Sequence, residues 1–135
     1  GVKGDITYGM FINPSAFVRL HYSGGSTLDT PNGSMKANEW THVVGTYDGV
    51  NVRVYLNGEM KAELAANAAI PVDAQSFVIG GTQESRDWFT GMIDEVKLYS
   101  RGLTEDEIIQ SMSGAAVEPY EKLSATWGNI KKGHK

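Results

Sequence analysis

Trp40-Thr41-His42-Val43-Val44-Gly45-Thr46-Tyr47 runs through Asp48-Gly49 into Val52-Arg53-Val54-Tyr55-Leu56, which ends at Asn57-Gly58. No other stretch of the chain limits its fold so tightly. Apolar and polar side chains alternate along both runs, the two-residue repeat of a half-buried strand. Asp-Gly and Asn-Gly tolerate the positive φ that tight hairpin turns require. The pattern predicts an antiparallel meander over roughly 40–47, 51–57 and 59–64. The alanines between Met60 and Ile70 also suit a helix, but Asn57-Gly58 favours a strand that turns back, followed by a loop through Pro71.

Two earlier runs have the same character. Ile6 to Ile12 and Ala16 to Tyr22 read as strands joined by a turn at Asn13-Pro14-Ser15, and Ser23-Gly24-Gly25-Ser26 ends the second. Residues 26–39 read mostly as turn and irregular chain, broken at Pro31-Asn32-Gly33. Phe89 to Tyr99 reads as a further strand. After it, Thr104 is placed as a helix N-cap, with Glu107 completing a capping box and Leu103 and Ile108 at staple positions. Glu105 and Asp106 add negative charge where the helix dipole is positive. The segment is expected to pack across an edge or end of the sheets, as a structural plug or as a partner contact.

Composition narrows the class. The chain has 135 residues, 41% of them hydrophobic, with 16 glycines, which suits one turn-rich β domain. Its net charge of −4 supplies no basic footprint for nucleic acid. No run approaches the ~18 apolar residues of a membrane-spanning helix. The absence of cysteine removes disulfides and thiolate metal sites and leans towards a bacterial source. His21, His42 and His134 lack metal-ligand spacing. No nucleophile elbow, phosphate loop or dinucleotide fingerprint occurs.

The segments WTHVVGTYDG, VRVYLNGE, FVIGG and FTGMIDEVKLYSRGLTEDEI, in that order, resemble the laminin-G-like domains of the concanavalin A-like lectin/glucanase superfamily. The resemblance covers roughly residues 1–112 and leaves 113–135 as a tail. It implies an all-β fold, an antiparallel jelly-roll sandwich with one short C-terminal helix. It also implies a secreted or cell-surface protein that binds carbohydrate or protein and catalyses nothing. Structural adhesion without a small ligand is the alternative. Domains of this kind carry further strands upstream of the first segment here, so the chain is expected to begin partway through its domain. An uncovered sheet edge near residues 1–22 would then favour a homodimer or strand exchange. Glucanases of the superfamily carry alternating carboxylates on one strand. Asp94-Glu95 are adjacent and face opposite ways, so a glycoside hydrolase is remote.

Candidate sites follow from chemistry and position. Sugar binding needs aromatic faces beside planar polar groups, and Arg53, Tyr55, Arg86, Asp87 and Trp88 supply both. The polar loop from Thr82 to Trp88 is the most suggestive place, with Trp88 either displayed or folded inward. Asp94 shares a strand face with Val96 and Leu98 and is expected to point inward, where a carboxylate needs a partner or a cation. The resemblance implies calcium there, held by Asp94 and main-chain carbonyls; a carboxylate that caps loop amides is the alternative. The core is expected to hold Val43, Tyr47, Val52, Val54, Leu56, Val96 and Leu98, with Trp40 beside it. In the tail, Leu123, Trp127 and Ile130 sit at helix-like spacing, which suits docking on the domain, disorder or a sorting signal.

Overall fold

The computed structural model describes residues 8–22, 26–67, 69–70, 76–82 and 87–114. Among these residues six strands form two antiparallel sheets. β1 (Tyr8–Asn13), β2 (Phe17–Tyr22) and β3 (Ser26–Asp29) make one sheet in that order, and β4 (Val43–Tyr47), β5 (Asn51–Leu56) and β6 (Glu59–Ala65) make the other. One helix, α1 (Glu105–Met112), follows. The two sheets pack face to face as the expected antiparallel β-sandwich.

The meander forms where the turn residues dictate. Asn57 and Gly58 both take positive φ, 51° and 81°, so a two-residue loop sets Leu56 opposite Glu59. At the other hairpin the loop is one residue longer, and the Asp48 side chain organises it. Its Oδ1 accepts the amides of Val50 and Asn51 at 2.8 and 2.7 Å. A bulge beside Tyr55 shifts the register between β5 and β6.

Alternation then sorts the side chains. Val43, Gly45, Tyr47, Val52, Val54 and Leu56 share the face turned towards the first sheet. Val54 and Leu56 pack with Val18, and Leu20, Leu28, Met35 and Val43 close around them. Leu20 and Met10 fill the space over Gly45. Val52 and Val54 are fully buried, while Val43 and Tyr47 are half-buried. A buried valine side chain contributes about 1.5–3 kcal/mol by leaving water.

Three expectations need correction. Residues 26–39 are not irregular throughout, because Ser26 to Asp29 pair with β2 as β3, where Leu28 stands opposite Leu20 beside the core. Arg19 and Asp29, also paired across these strands, make a two-point ion pair at 2.8 and 2.7 Å. Trp40 is 65% exposed rather than core, since the ladder begins at Val43 and nothing in the strand repeat governs residues before it. Residues 89–99 form no ladder among the described residues, beyond an isolated bridge at Tyr99. There Glu95 takes φ +53°, which breaks the alternation, and Val96 is exposed and Leu98 half-buried. Asp94 is consequently exposed and does not face inward.

The helix matches its sequence signature. Thr104 accepts the Glu107 amide at 3.3 Å, and Glu107 accepts the Thr104 amide at 2.9 Å. Arg101 grips the same Glu107 carboxylate through two contacts of 2.8 Å. Ile108 is fully buried, and Ile109 and Met112 lie against the Gly58 turn. The lead-in comes close to the end of β4: a Cβ on Gly102 would stand 3.0 Å from the Tyr47 carbonyl oxygen, so the bare glycine sets the approach. The lead-in and the helix therefore lie against the second sheet, from the end of β4 to the β5–β6 turn.

Candidate functional site

The outer face of the second sheet carries the alternate residues: Thr46 on β4, Arg53 and Tyr55 on β5, Met60 and Glu63 on β6. With the Gly102 to Glu105 approach to the helix they line an open cleft of about 470 Å³. Strand alternation puts every one of these sheet residues opposite to the core face.

Arg53 is the centre of the cleft. It donates from Nη1 to Asp48 Oδ2 at 2.6 Å and from Nε to Glu63 Oε2, its cross-strand partner. Side-chain exposures of 24% for Arg53 and about two-fifths for its partners make these rim pairs, of little weight in stability. Their larger effect is geometric, because the planar fork is held in one orientation. The bonds from Asp48 and Glu63 raise the Arg53 pKa. The Asn51 amide, then the Arg53 guanidinium and the Val50 amide, hold the Asp48 carboxyl down at about 2. Tyr55, 4% exposed, has its phenol pushed up by burial and then by Glu105.

Thr46 is the residue that sequence reasoning missed. It is 7% exposed, and its Oγ1 has no hydrogen-bond partner among the described residues. A buried hydroxyl left unpaired costs about 1–3 kcal/mol. Its position in the alternation marked it as outward, but no sequence signal says that it is closed off from water.

Of the sequence candidates, Arg53 and Tyr55 come together in this cleft. Asp87 and Trp88 do not line it, and Arg86 lies outside the described residues. Trp88 is 65% exposed, with its ring laid over Gly81, and Phe89 donates its amide to the Gly80 carbonyl at 3.0 Å. Asp94 Oδ1 accepts the Glu95 amide at 2.8 Å. Among the described residues no three acidic or histidine side chains are placed to hold a metal ion. Calcium at Asp94 would therefore take most of its six to eight oxygens from main chain and water. The segment after Gly114, with Trp127, also lies outside the described residues. No helix of the described residues is long and apolar enough to cross a membrane.

Comparison with known proteins adds three findings. A laminin-G family model described as the concanavalin A-like lectin/glucanases superfamily matches residues 2–109. Pappalysin-1 of Mus musculus is 25% identical over 115 residues, which is 79% of this chain but 7% of that protein. A crystal structure of an S-layer domain-containing protein (residues 221–444) from Clostridium thermocellum superposes with a TM-score of 0.48 and 19% identity. That alignment covers 83% of this chain and 66% of the other.

Proposed function

Because this chain belongs to the laminin-G-like family of the concanavalin A-like superfamily, whose domains are typically extracellular binding modules, we propose that it is a non-catalytic recognition domain of a secreted or cell-surface protein and that its ligand is a carbohydrate. One observation carries the reading: a guanidinium fixed by two carboxylates opens onto a cleft lined by Tyr55. Arg53 keeps donors on Nη2 and Nη1 beyond those given to Asp48 and Glu63. Carboxylate acceptors stand beside them, with Tyr55, Met60 and Leu103 as apolar lining. Alternating donors and acceptors beside apolar surface suit a ring of vicinal hydroxyls.

Carboxylates in one cleft also invite a hydrolase reading, and the commitment of the two beside Arg53 argues against it. Glycoside hydrolysis needs one carboxyl group that keeps its proton to donate to the leaving oxygen. Asp48, at about 2, stays ionised, and Glu63 is ion-paired with the same arginine.

A glycan array probed with the parent chain, Arg53→Gln and Trp88→Ala tests the reading. Binding that Arg53→Gln lowers and Trp88→Ala spares supports the cleft. Binding lost only in Trp88→Ala moves the site to the exposed tryptophan, and no binding in the parent favours structural adhesion.

Two further elements belong to the proposal. Calcium added after chelation should raise the melting temperature, and Asp94→Ala should remove the rise; an unchanged melt leaves Asp94 capping the Glu95 amide. A second copy of the chain is the other partner. Among the described residues β1 is an edge strand whose Tyr8, Met10 and Ile12 are each close to half exposed, the kind of edge that recruits strands.

A further inference from the structure

Among the described residues β1, β3, β4 and β6 are the outer strands of the two sheets, and they are defended unequally. β6 carries Glu59, Lys61 and Glu63, and a bulge disturbs its ladder beside Tyr55. β3 is four residues long and ends on Asp29. The last residue of β4 is met by the lead-in to the helix, where a Cβ on Gly102 would stand 3.0 Å from the Tyr47 carbonyl oxygen. Charges, bulges, shortness and covering chain are the devices that keep an edge from recruiting strands. β1 has none of them among the described residues. Tyr8-Gly9-Met10-Phe11-Ile12-Asn13 holds no charge and no proline, and its register with β2 is unbroken.

Hydrogen bonding on the far side of β2 shows which β1 residues offer bonds to an incoming strand. Val18 donates its amide to Thr30 Oγ1 at 2.9 Å and accepts the Thr30 amide at 2.9 Å, so its main-chain groups turn away from β1. In an antiparallel ladder, opposite residues turn these groups together, towards each other or away, and the sense alternates along the strands. Ile12 stands opposite Val18 and therefore turns its amide and carbonyl to the outer edge, as do Met10 and Tyr8. The same three residues share the core-side face, since Met10 Sδ stands 3.4 Å from a Cβ placed on Gly45. Tyr8, Met10 and Ile12 nevertheless remain 46%, 50% and 45% exposed.

Resting on the reading of a second copy as partner, we propose that two chains join edge to edge through β1, with Met10 on the two-fold axis, so that the three-stranded sheet continues into its copy. Self-pairing has to keep side-chain faces and outward main-chain groups in phase. With Met10 on the axis, Met10 meets Met10 of the second copy and Tyr8 meets its Ile12, so every outward-turned residue of β1 exchanges backbone bonds. An axis at Gly9 or Phe11 also keeps the phase but pairs only two of the three with one another. Tyr8 against Ile12 is an aromatic and β-branched pair, which stabilises a ladder. No charge meets its like there: Arg19, opposite Phe11, is already bound by Asp29 on the side away from the edge. The net charge of −4 that keeps copies apart elsewhere is absent from this strand.

The chain has no cysteine, so single introduced thiols report the register. Each variant of the whole chain is treated with a short bis-maleimide and scored for covalent dimer. Met10→Cys should couple with itself, because opposed residues that exchange backbone bonds have Cα atoms about 5.5 Å apart. Tyr8→Cys and Ile12→Cys should each couple poorly alone, since four residues at ~3.4 Å each set like positions about 14 Å apart, and should couple well when mixed. Lys61→Cys on β6 gives the rate of chance collision, which Met10→Cys should exceed severalfold. Fastest coupling between Met10→Cys and either Tyr8→Cys or Ile12→Cys overturns the register. Coupling at Lys61→Cys as fast as at Met10→Cys, in a chain that light scattering shows to be dimeric, overturns the choice of edge and leaves the second copy standing. A parent chain that stays monomeric at every concentration removes the second-copy reading itself.

Discussion

β5 and the stretch from Met92 to Leu98 are written alike, with aliphatic side chains at alternate positions, yet they end in opposite surroundings. Val52 and Val54 are 0% exposed, whereas Met92 is 74%, Ile93 48% and Val96 45% exposed. β5 has a hydrogen-bonded neighbour on each side and a second sheet over one face. The later stretch has neither among the described residues, and at Asp94-Glu95 a left-handed residue interrupts its repeat. Alternation is therefore a property that a strand offers, and burial is a property that its neighbours confer. Phe77 and Ile79, 60% and 54% exposed, make the same point one segment earlier.

The contrast can be broken in several ways. The largest effect expected is a change of molecular mass. Apolar side chains left outside on β1 and between 77 and 96 should drive association as concentration rises. Light scattering should show dimers or larger species, and Met10→Lys with Ile12→Lys should reduce them by charging the edge. A monomeric chain with a sharp melt at high concentration would show that these faces need no cover.

Next comes the helix contact. Ile108 is fully buried, so Ile108→Ala should lose about 2–5 kcal/mol in equilibrium denaturation. The matched control, Ile93→Ala, should stay within about 0.5 kcal/mol. Within the strands themselves, Val54→Ala should cost about 1–3 kcal/mol and Val96→Ala again about 0.5 or less. Equal losses at Val54 and Val96 would mean that both stretches are packed and that the comparison drawn above is wrong. Thr104→Ala should remove about 1 kcal/mol, the value of a helix cap, and leave the sheets untouched.

The smallest effect is electrostatic. Asp48 and Glu107 are each held at about 2, against ordinary values of 3.8 and 4.5. For Glu107 the Arg101 fork is the main cause and the Thr104 amide the next. Both groups bind a proton more weakly folded than unfolded. Their contribution is thus complete above the ordinary values and is lost as pH falls from there towards about 2. Melting temperature should decline across that window, and Glu107→Gln should flatten the decline. An unchanged acid slope in that variant would place its origin elsewhere.

Much of this was legible in the residues. Asn57-Gly58 announces its turn because two consecutive left-handed residues are tolerated there. Thr104 and Glu107 announce a helix start because a capping box closes within four residues. Val43, Tyr47, Val52, Val54 and Leu56 fall on one face because β-strand alternation is a local rule. The site was legible only in part. Arg53 and Tyr55 are two residues apart on one strand, so alternation keeps them together. Asp87 and Trp88 sit on a separate loop, and no rule of spacing says whether a loop reaches a sheet.

What the sequence by itself determined, then, is each feature that closes over a few neighbouring residues: the turns, the cap, the alternation of the meander and the family its motifs spell. Tertiary structure alone decided three things. It gave Ser26–Asp29 a strand partner, it left Met92 and Val96 outside, and it brought Glu105 to the cleft that Arg53 lines while leaving the Thr46 hydroxyl buried and unpaired. The physical reason is range. A turn or a cap is fixed by bonds between residues already adjacent in the chain, whereas burial and a cleft depend on which distant surfaces come to cover one another.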